Sequence, residues 1–119
     1  MILIVGASLD DVEYIQKRII DPRIEVIANR YDVYIGIFGG KEIACAMTGY
    51  GQEMASMITA LLIEKYKPYL VVNIGTVSSI SPNLDQGDLF IADRVYAMDV
   101  DLLALGKYRY GHIPELPMF

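Results

Sequence analysis

Short apolar runs alternate with amphipathic stretches along the chain, and this alternation predicts a layered α/β protein. Residues 2–5 are fully apolar, which is typical of a buried, parallel strand. Val12, Ile15 and Ile19 then recur at helical spacing, so we predict a helix over residues 9–20 with one face in the core.

The predicted helices have recognisable start and stop signals. Ser8 precedes the first helix, and Asp11 stands three residues later, where its carboxylate can reach back to Ser8 as in a capping box. Pro22 follows the end of that helix. A second helix is predicted over Gln52–Tyr66, and Lys67-Pro68 ends it. Its apolar positions, expected to form a core stripe, are Met54, Met57, Ile58, Leu61 and Leu62.

The remaining apolar runs predict strands. These lie at residues 24–27, 33–38, 42–47, 69–74 and 89–92. Gly39-Gly40 between two of them is suited to a tight hairpin turn, because both residues tolerate positive φ. The resulting order, β-α-β-β-β-α-β-β, predicts a three-layer α/β/α fold with a mixed, twisted sheet, followed by a loop-like tail from Asp99. We expect residues 1–119 to form a single domain.

Charge and cysteine content narrow the function classes. The formal charge is 10 − 15 = −5 without a basic stripe, so we expect no nucleic-acid partner. No apolar run approaches the ~18 residues that span a bilayer, and Met1 leads straight into an apolar strand without a basic segment. We therefore expect no membrane association and no signal peptide. The single cysteine, Cys45, lies in an apolar strand and is expected in the core of a cytoplasmic protein.

Small residues and hydroxyls follow three of the predicted strands. These segments are residues 6–11, 48–52 and 75–79. Because ligands bind beyond the carboxyl ends of strands in α/β sheets, the three segments could form a small-molecule pocket. The alternative is that their glycines serve only as turn residues.

An ordered set of motifs carries a family resemblance. Val5-Gly6-Ala7 followed by Asp10-Asp11-Val12 resembles the opening of the 5′-methylthioadenosine/S-adenosylhomocysteine nucleosidases, in the purine nucleoside phosphorylase superfamily. The similarity continues in order through residues 48–51, 64–68, 72–76, 84–88 and 99–111. Family members are about twice as long, so the resemblance implies a phosphorylase/hydrolase-like fold of which this chain is the N-terminal half only, apparently truncated. The ribose-binding Met-Glu pair, the adenine-stacking Phe and the Asp that protonates the purine belong to the family's second half.

The resemblance also implies a set of site residues. Asp11 takes the place of the family glutamate that activates the attacking water, with a side chain one methylene shorter. The implied substrate-binding residues are Ser8, Tyr50, Gly51, Gly75, Thr76, Val77, Ser78, Leu105 and Pro114. Other interpretations stay open: Asp11 and Ser8 could serve only the helix N-terminus, Thr76 its own loop, and Tyr50 could be an exposed loop aromatic. No metal and no cofactor are expected.

The implied activity is hydrolysis of the N-glycosidic bond of methylthioadenosine or S-adenosylhomocysteine, which yields adenine and a thioribose. A phosphorylase is disfavoured, because Asp10 and Asp11 repel phosphate. A dinucleotide-binding module is disfavoured by the lack of Gly-x-Gly-x-x-Gly after the first strand. The alternative function is a catalytically inactive remnant that binds nucleosides or acts as an interaction domain. The expected partners are a small-molecule nucleoside and a second copy of the chain, in a homodimer.

Overall fold

The computed structural model of the protein describes residues 1–116, which fall into two compact units. The first unit runs from Met1 to Ser78 and the second begins at Ser79. Across residues 1–116, no helix has the length and apolar character needed to cross a membrane.

The first unit contains a five-stranded mixed sheet and two helices. In chain order these are β1 (Ile2–Gly6), α1 (Leu9–Gln16), β2 (Ile20–Ile27), β3 (Tyr31–Phe38), β4 (Lys41–Met47), α2 (Gln52–Tyr66) and β5 (Leu70–Asn73). The spatial order is β2-β3-β4-β1-β5. Strands β4, β1 and β5 are parallel, whereas β2, β3 and β4 pair in antiparallel fashion. The parallel part therefore lies at one side of the sheet.

The two helices cover opposite faces of the sheet. Strand residues alternate between the faces, so neighbours such as Leu3 and Ile4 enter different core clusters. Helix α2 packs Ile58 and Leu62 on one face, against Leu3, Val5, Val33, Ile35, Ala44 and Ala46. On the other face, Val12 of α1 and the following Ile19 pack against Ile4, Ile43 and Cys45. The predicted three-layer α/β/α fold with a mixed sheet is confirmed.

The hairpin between β3 and β4 turns where the sequence predicted. Gly39 and Gly40 have φ angles of 58° and 75°, which a two-residue turn with both central residues at positive φ requires. The register of β3 on β4 follows from this turn, with Phe38 opposite Lys41.

The first predicted helix is too long by four residues. Helix α1 ends at Gln16, and Ile20, predicted as its last residue, begins β2. Pro22 lies inside β2, which is an outer strand of the sheet with a register shift between Ile20 and Arg23. An outer strand can hold a proline because half of its backbone N–H groups have no neighbouring strand to bond. Ile19 packs in the core although it lies beyond the end of α1, so the apolar spacing predicted its burial but not its secondary structure.

The predicted strand at residues 89–92 is wrong. This segment lies in the second unit in extended or irregular backbone, with Leu89 and Ile91 97% and 96% exposed. An apolar run becomes a strand only when a neighbour satisfies its backbone groups, and within residues 1–116 no strand pairs with it. The regular element of the second unit is a short 3₁₀ turn at Leu103–Leu105. The predicted loop-like tail agrees with this over the described residues.

The predicted core stripe of α2 is only partly buried. Ile58 and Leu62 are fully buried, and Met54 is half-buried against the same cluster. Met57 and Leu61, in contrast, are 48% and 43% exposed. The α2 helix thus has a narrow buried seam and an apolar outer margin.

A polar network joins β2 to the C-terminal turn of α2. The Tyr66 hydroxyl donates to Glu25 Oε2 at 2.9 Å, and Lys65 Nζ lies 2.6 Å from the same oxygen. Arg23 Nε lies 3.0 Å from Glu25 Oε1. These contacts, with the Lys65 hydrogen bond foremost, hold the pKa of Glu25 below its ordinary value of 4.5.

We expect Glu25→Gln to lower the free energy of unfolding at neutral pH, but not in acid. A carboxyl whose pKa is lowered by folding stabilises the protein above its unfolded pKa, and this stabilisation is lost as the pH falls through the folded value. Urea unfolding of wild type and variant should therefore differ at neutral pH and converge well below 4.5. The control is Glu64→Gln, which removes a more exposed ion pair to Lys67. Equal effects of the two variants, or a difference that persists in acid, would contradict the stabilising role of the network.

Candidate functional site

The carboxyl ends of β4, β1 and β5 meet at one edge of the sheet. Gly6 is opposite Met47 on one side of β1, and Val5 is opposite Asn73 on the other. The ladder continues one step past the strands, since Thr48 N donates to Gly6 O and Ile74 N donates to Val5 O, both at 2.8 Å. The three following loops therefore begin from fixed positions at the same edge.

Thr48 is a buried polar residue that the sequence analysis did not single out. It is 2% exposed, and its hydroxyl lies within hydrogen-bond distance of Gly6 O, at 3.3 Å, and Gly49 O, at 3.2 Å. It ties the end of β4 to the end of β1. The sequence signal that points to Thr48 is a hydroxyl-bearing residue directly after a predicted buried strand.

Asp11 lies in the first turn of α1 with its carboxylate held by the residue before the helix. The Ser8 backbone N–H and the Ser8 hydroxyl both donate to Asp11 Oδ2, each at 2.9 Å. Ser8 has the extended backbone of an N-cap, with φ −126° and ψ 169°. The predicted contact between the Asp11 carboxylate and Ser8 is confirmed. Within residues 1–116, Asp11 Oδ1 receives no hydrogen bond from another protein group.

Gly6 makes room for Asp11, and Gly75 lies beside its carboxylate. A Cβ at Gly6 would lie 2.7 Å from Asp11 Cβ, 2.9 Å from Val12 Cγ1 and 3.1 Å from the Ile74 carbonyl oxygen. Helix α1 can approach β1 this closely only because residue 6 has no side chain. A Cβ at Gly75 would lie 3.6 Å from Asp11 Oδ1, which is ordinary contact distance. The loop after β5 thus passes beside the free oxygen of the carboxylate.

The structure brings together Ser8, Asp11 and Gly75, and it places other residues of the predicted set along the same edge. Thr76, Val77 and Ser78 follow Gly75 and are exposed. Tyr50 is 78% exposed between Gly49 and Gly51, and Gly51 is the N-cap of α2. These residues have no described contact with Asp11.

Leu105 and Pro114 belong to the second unit and are described there by themselves. Leu105 ends the 3₁₀ turn and is 61% exposed, and Pro114 is half-buried. Their place in a site continues to rest on the family resemblance alone.

Neither Cys45 nor a metal cluster adds to the chemistry of this edge. Cys45 is fully buried, and burial raises the pKa of its thiol to about 12, so it is protonated and unreactive. Residues 1–116 contain no group of three His, Cys, Asp or Glu side chains arranged to hold a metal ion.

Comparison with known proteins places this geometry in a family. A family model described as the phosphorylase superfamily matches residues 1–118. The chain belongs to the phosphorylase superfamily.

Curated relatives of this superfamily member carry a more specific name. It is 37% identical over 117 residues to a 5′-methylthioadenosine/S-adenosylhomocysteine nucleosidase of Listeria innocua, a match that covers 98% of this chain and 49% of the relative. A Marinomonas protein of the same name is 34% identical over 96% of this chain and 48% of its own length. The chain thus spans about half the length of the curated relatives it matches.

A solved structure shares the fold of this superfamily member. The 5′-methylthioadenosine/S-adenosylhomocysteine nucleosidase of Colwellia psychrerythraea, solved in complex with adenine, matches with a TM-score of 0.90 and 29% identity, over 98% of this chain and 47% of that one. The resemblance inferred from the sequence motifs is confirmed by these comparisons.

The packing at Gly6 and Gly75 predicts that substitution by alanine affects the stability of the fold at the first position but not at the second. Gly6→Ala forces a Cβ against backbone and the first turn of α1, so we expect a loss of about 1–3 kcal/mol in the free energy of unfolding. Gly75→Ala places its Cβ at ordinary contact distance and should fold with nearly wild-type stability. Chemical denaturation of both variants measures the difference. A Gly6→Ala variant as stable as wild type would contradict the close approach of α1 to β1.

Proposed function

We propose that this protein acts on nucleosides as an N-ribosyl hydrolase that cleaves methylthioadenosine or S-adenosylhomocysteine to adenine and a thioribose. The observation that carries the proposal is the Asp11 carboxylate, fixed at the carboxyl edge of the sheet through one oxygen while the other receives no hydrogen bond from any group of residues 1–116. The names of the curated relatives support the same activity.

The proposed reaction gives Asp11 the role of general base. Cleavage of an N-ribosyl bond passes through an oxocarbenium-like transition state, in which the bond from C1′ to the base nitrogen breaks as a water oxygen bonds to C1′. Asp11 takes a proton from that water, and the departing base must receive a proton from a second group. A carboxylate held in place by hydrogen bonds is suited to the first task because it need not reorganise during the reaction.

The proposed binding residues are those at the same sheet edge in the first unit: Ser8, Tyr50, Gly51, Gly75, Thr76, Val77 and Ser78. Exposed hydroxyls at Thr76 and Ser78 suit sugar hydroxyls, and the exposed Tyr50 ring offers an apolar face to a base or an alkylthio group. Leu105 and Pro114 are proposed from the family resemblance. The family model matches residues 1–118, which supports our expectation of a single nucleosidase/phosphorylase-like domain.

A second candidate function is nucleoside binding without turnover. Two departures from the family pattern favour it: the shorter side chain at Asp11, and Ser78 and Ser79 where the family loop has glycines. A misplaced carboxylate of about one C–C bond, on the order of 1.5 Å, can cost ~10²-fold in rate.

We expect the 119-residue chain to release adenine from methylthioadenosine barely, if at all, because groups expected to protonate the base and grip the ribose lie in the half of the relatives that the match leaves uncovered. Asp11→Asn should lower the rate by about 10²–10⁴-fold. Asp10→Asn is the matched control, since Asp10 stands next to it in the same turn but is exposed. Chromatographic detection of free adenine measures all three proteins.

A fusion separates the two candidate functions. The 119 residues are joined to the portion of the Listeria innocua relative that the match leaves uncovered. Faster turnover that Asp11→Asn abolishes supports the hydrolase. A fusion that folds and binds methylthioadenosine but releases no adenine, even with Asp11→Glu, supports binding without turnover.

We also propose that the protein forms a homodimer in the cytoplasm, without a nucleic-acid or membrane partner. The exposed apolar margin of α2, with Met57 and Leu61, supports self-association because such surfaces are commonly covered in assemblies. We expect light scattering to give the mass of a dimer, and Met57→Lys with Leu61→Lys to shift it toward a monomer. A clean monomer at high concentration would contradict the homodimer.

A further inference from the structure

The two hydrogen bonds to Asp11 end on the same oxygen. Ser8 N–H and the Ser8 hydroxyl both donate to Oδ2 at 2.9 Å, so that oxygen accepts two hydrogen bonds. Oδ1, beside Gly75, has its lone pairs free of protein donors among residues 1–116. The carboxylate is therefore chemically asymmetric.

We infer that Ser8 is a positioning residue, whose hydroxyl orients the Asp11 carboxylate so that Oδ1 is the atom that accepts the proton of the attacking water. This inference rests on the proposed function and assigns the general-base role to one atom, Asp11 Oδ1. It also changes the expected role of Ser8: the hydroxyl proton is committed to Asp11, so Ser8 offers a ligand only its lone pairs.

Orientation needs the hydroxyl because the backbone bond alone leaves the carboxylate free to rotate. The backbone N–H holds Oδ2 through one hydrogen bond, and the hydroxyl adds a second that further restricts rotation of the carboxylate. Gly6 packs close to the base of the same side chain, since a Cβ built at Gly6 would lie 2.7 Å from Asp11 Cβ. The loop after β5 lies beside the whole carboxylate, since a Cβ at Gly75 would lie 3.6 Å from Oδ1 and 3.9 Å from Oδ2, and Oδ1 is the oxygen that receives no hydrogen bond within residues 1–116.

The capping role of Ser8 and its positioning role use different atoms. A helix N-cap serine accepts a backbone N–H through its oxygen, whereas positioning uses its proton. Glycine at an N-cap costs only a few tenths of a kcal/mol relative to serine, so Ser8→Gly removes the hydroxyl without unfolding α1. Ser8→Thr restores a hydroxyl on the same backbone and is the conservative variant.

The first measurement is spectroscopic and does not depend on turnover. In the full 119-residue chain with ¹³C-labelled aspartate, the Asp11 carboxyl resonance is identified by its loss in Asp11→Asn. We expect Ser8→Gly to shift this resonance at neutral pH, Ser8→Thr to return it toward the wild-type position, and the Asp10 resonance to stay in place. If the chemical shift of the Asp11 carboxyl carbon is unchanged in Ser8→Gly, the inference is overturned.

The second measurement separates orientation from general stability. We expect Ser8→Gly to lower kcat for methylthioadenosine on the order of tenfold with KM nearly unchanged, and Ser8→Thr to recover most of it, while thermal melting stays close to wild type. A shifted resonance with unchanged kcat overturns the catalytic use of Oδ1. In the fusion with the uncovered portion of the Listeria innocua relative, full turnover with Asp11→Asn, or none with Asp11 unchanged, instead contradicts the proposed function, and the resonance then still decides what the Ser8 hydroxyl does.

Discussion

The site depends on the close approach of helix α1 to the end of strand β1 at Gly6. A side chain there would meet Asp11 Cβ at 2.7 Å and the Ile74 carbonyl oxygen at 3.1 Å, so one missing Cβ lets three segments converge. Thr48 and Ile74 extend the parallel ladder on either side of β1 and hold the neighbouring loops at the same edge. The carboxylate is consequently held by rigid elements on each side.

Asp11 combines a local structural role with the chemical role proposed above. Its contact with Ser8 satisfies a backbone N–H that has no partner inside the helix, which any well-capped helix achieves. The same contact fixes a carboxylate at an edge where α/β proteins bind ligands. A negative side chain in the first turn of a helix also interacts favourably with the helix dipole. Capping and catalysis make compatible demands on this residue.

The acidic start of α1 also bears on the proposed reaction. Phosphorolysis brings a phosphate anion to the reacting carbon, and Asp10 and Asp11 at this position repel it. Water carries no charge and gains from a carboxylate beside it. Since the chain spans about half the length of its curated relatives, the acid that protonates the departing base and the ribose contacts are expected from outside the described residues.

The local pattern of apolar and polar residues determined most of the fold. The alternation of apolar and amphipathic segments, the helical spacing of apolar residues and the chemistry of turns each depend on a few neighbouring residues. Residues 2–5, the Gly39-Gly40 turn and helix Gln52–Tyr66 were predictable on this basis, as was the reach of Asp11 to Ser8. Tertiary structure alone decided whether residues 89–92 found a strand partner, where α1 ended, and that Gly75 passes beside Asp11 Oδ1. Those outcomes depend on contacts between segments distant in the chain, and a local pattern contains no information about which distant backbone will lie alongside it.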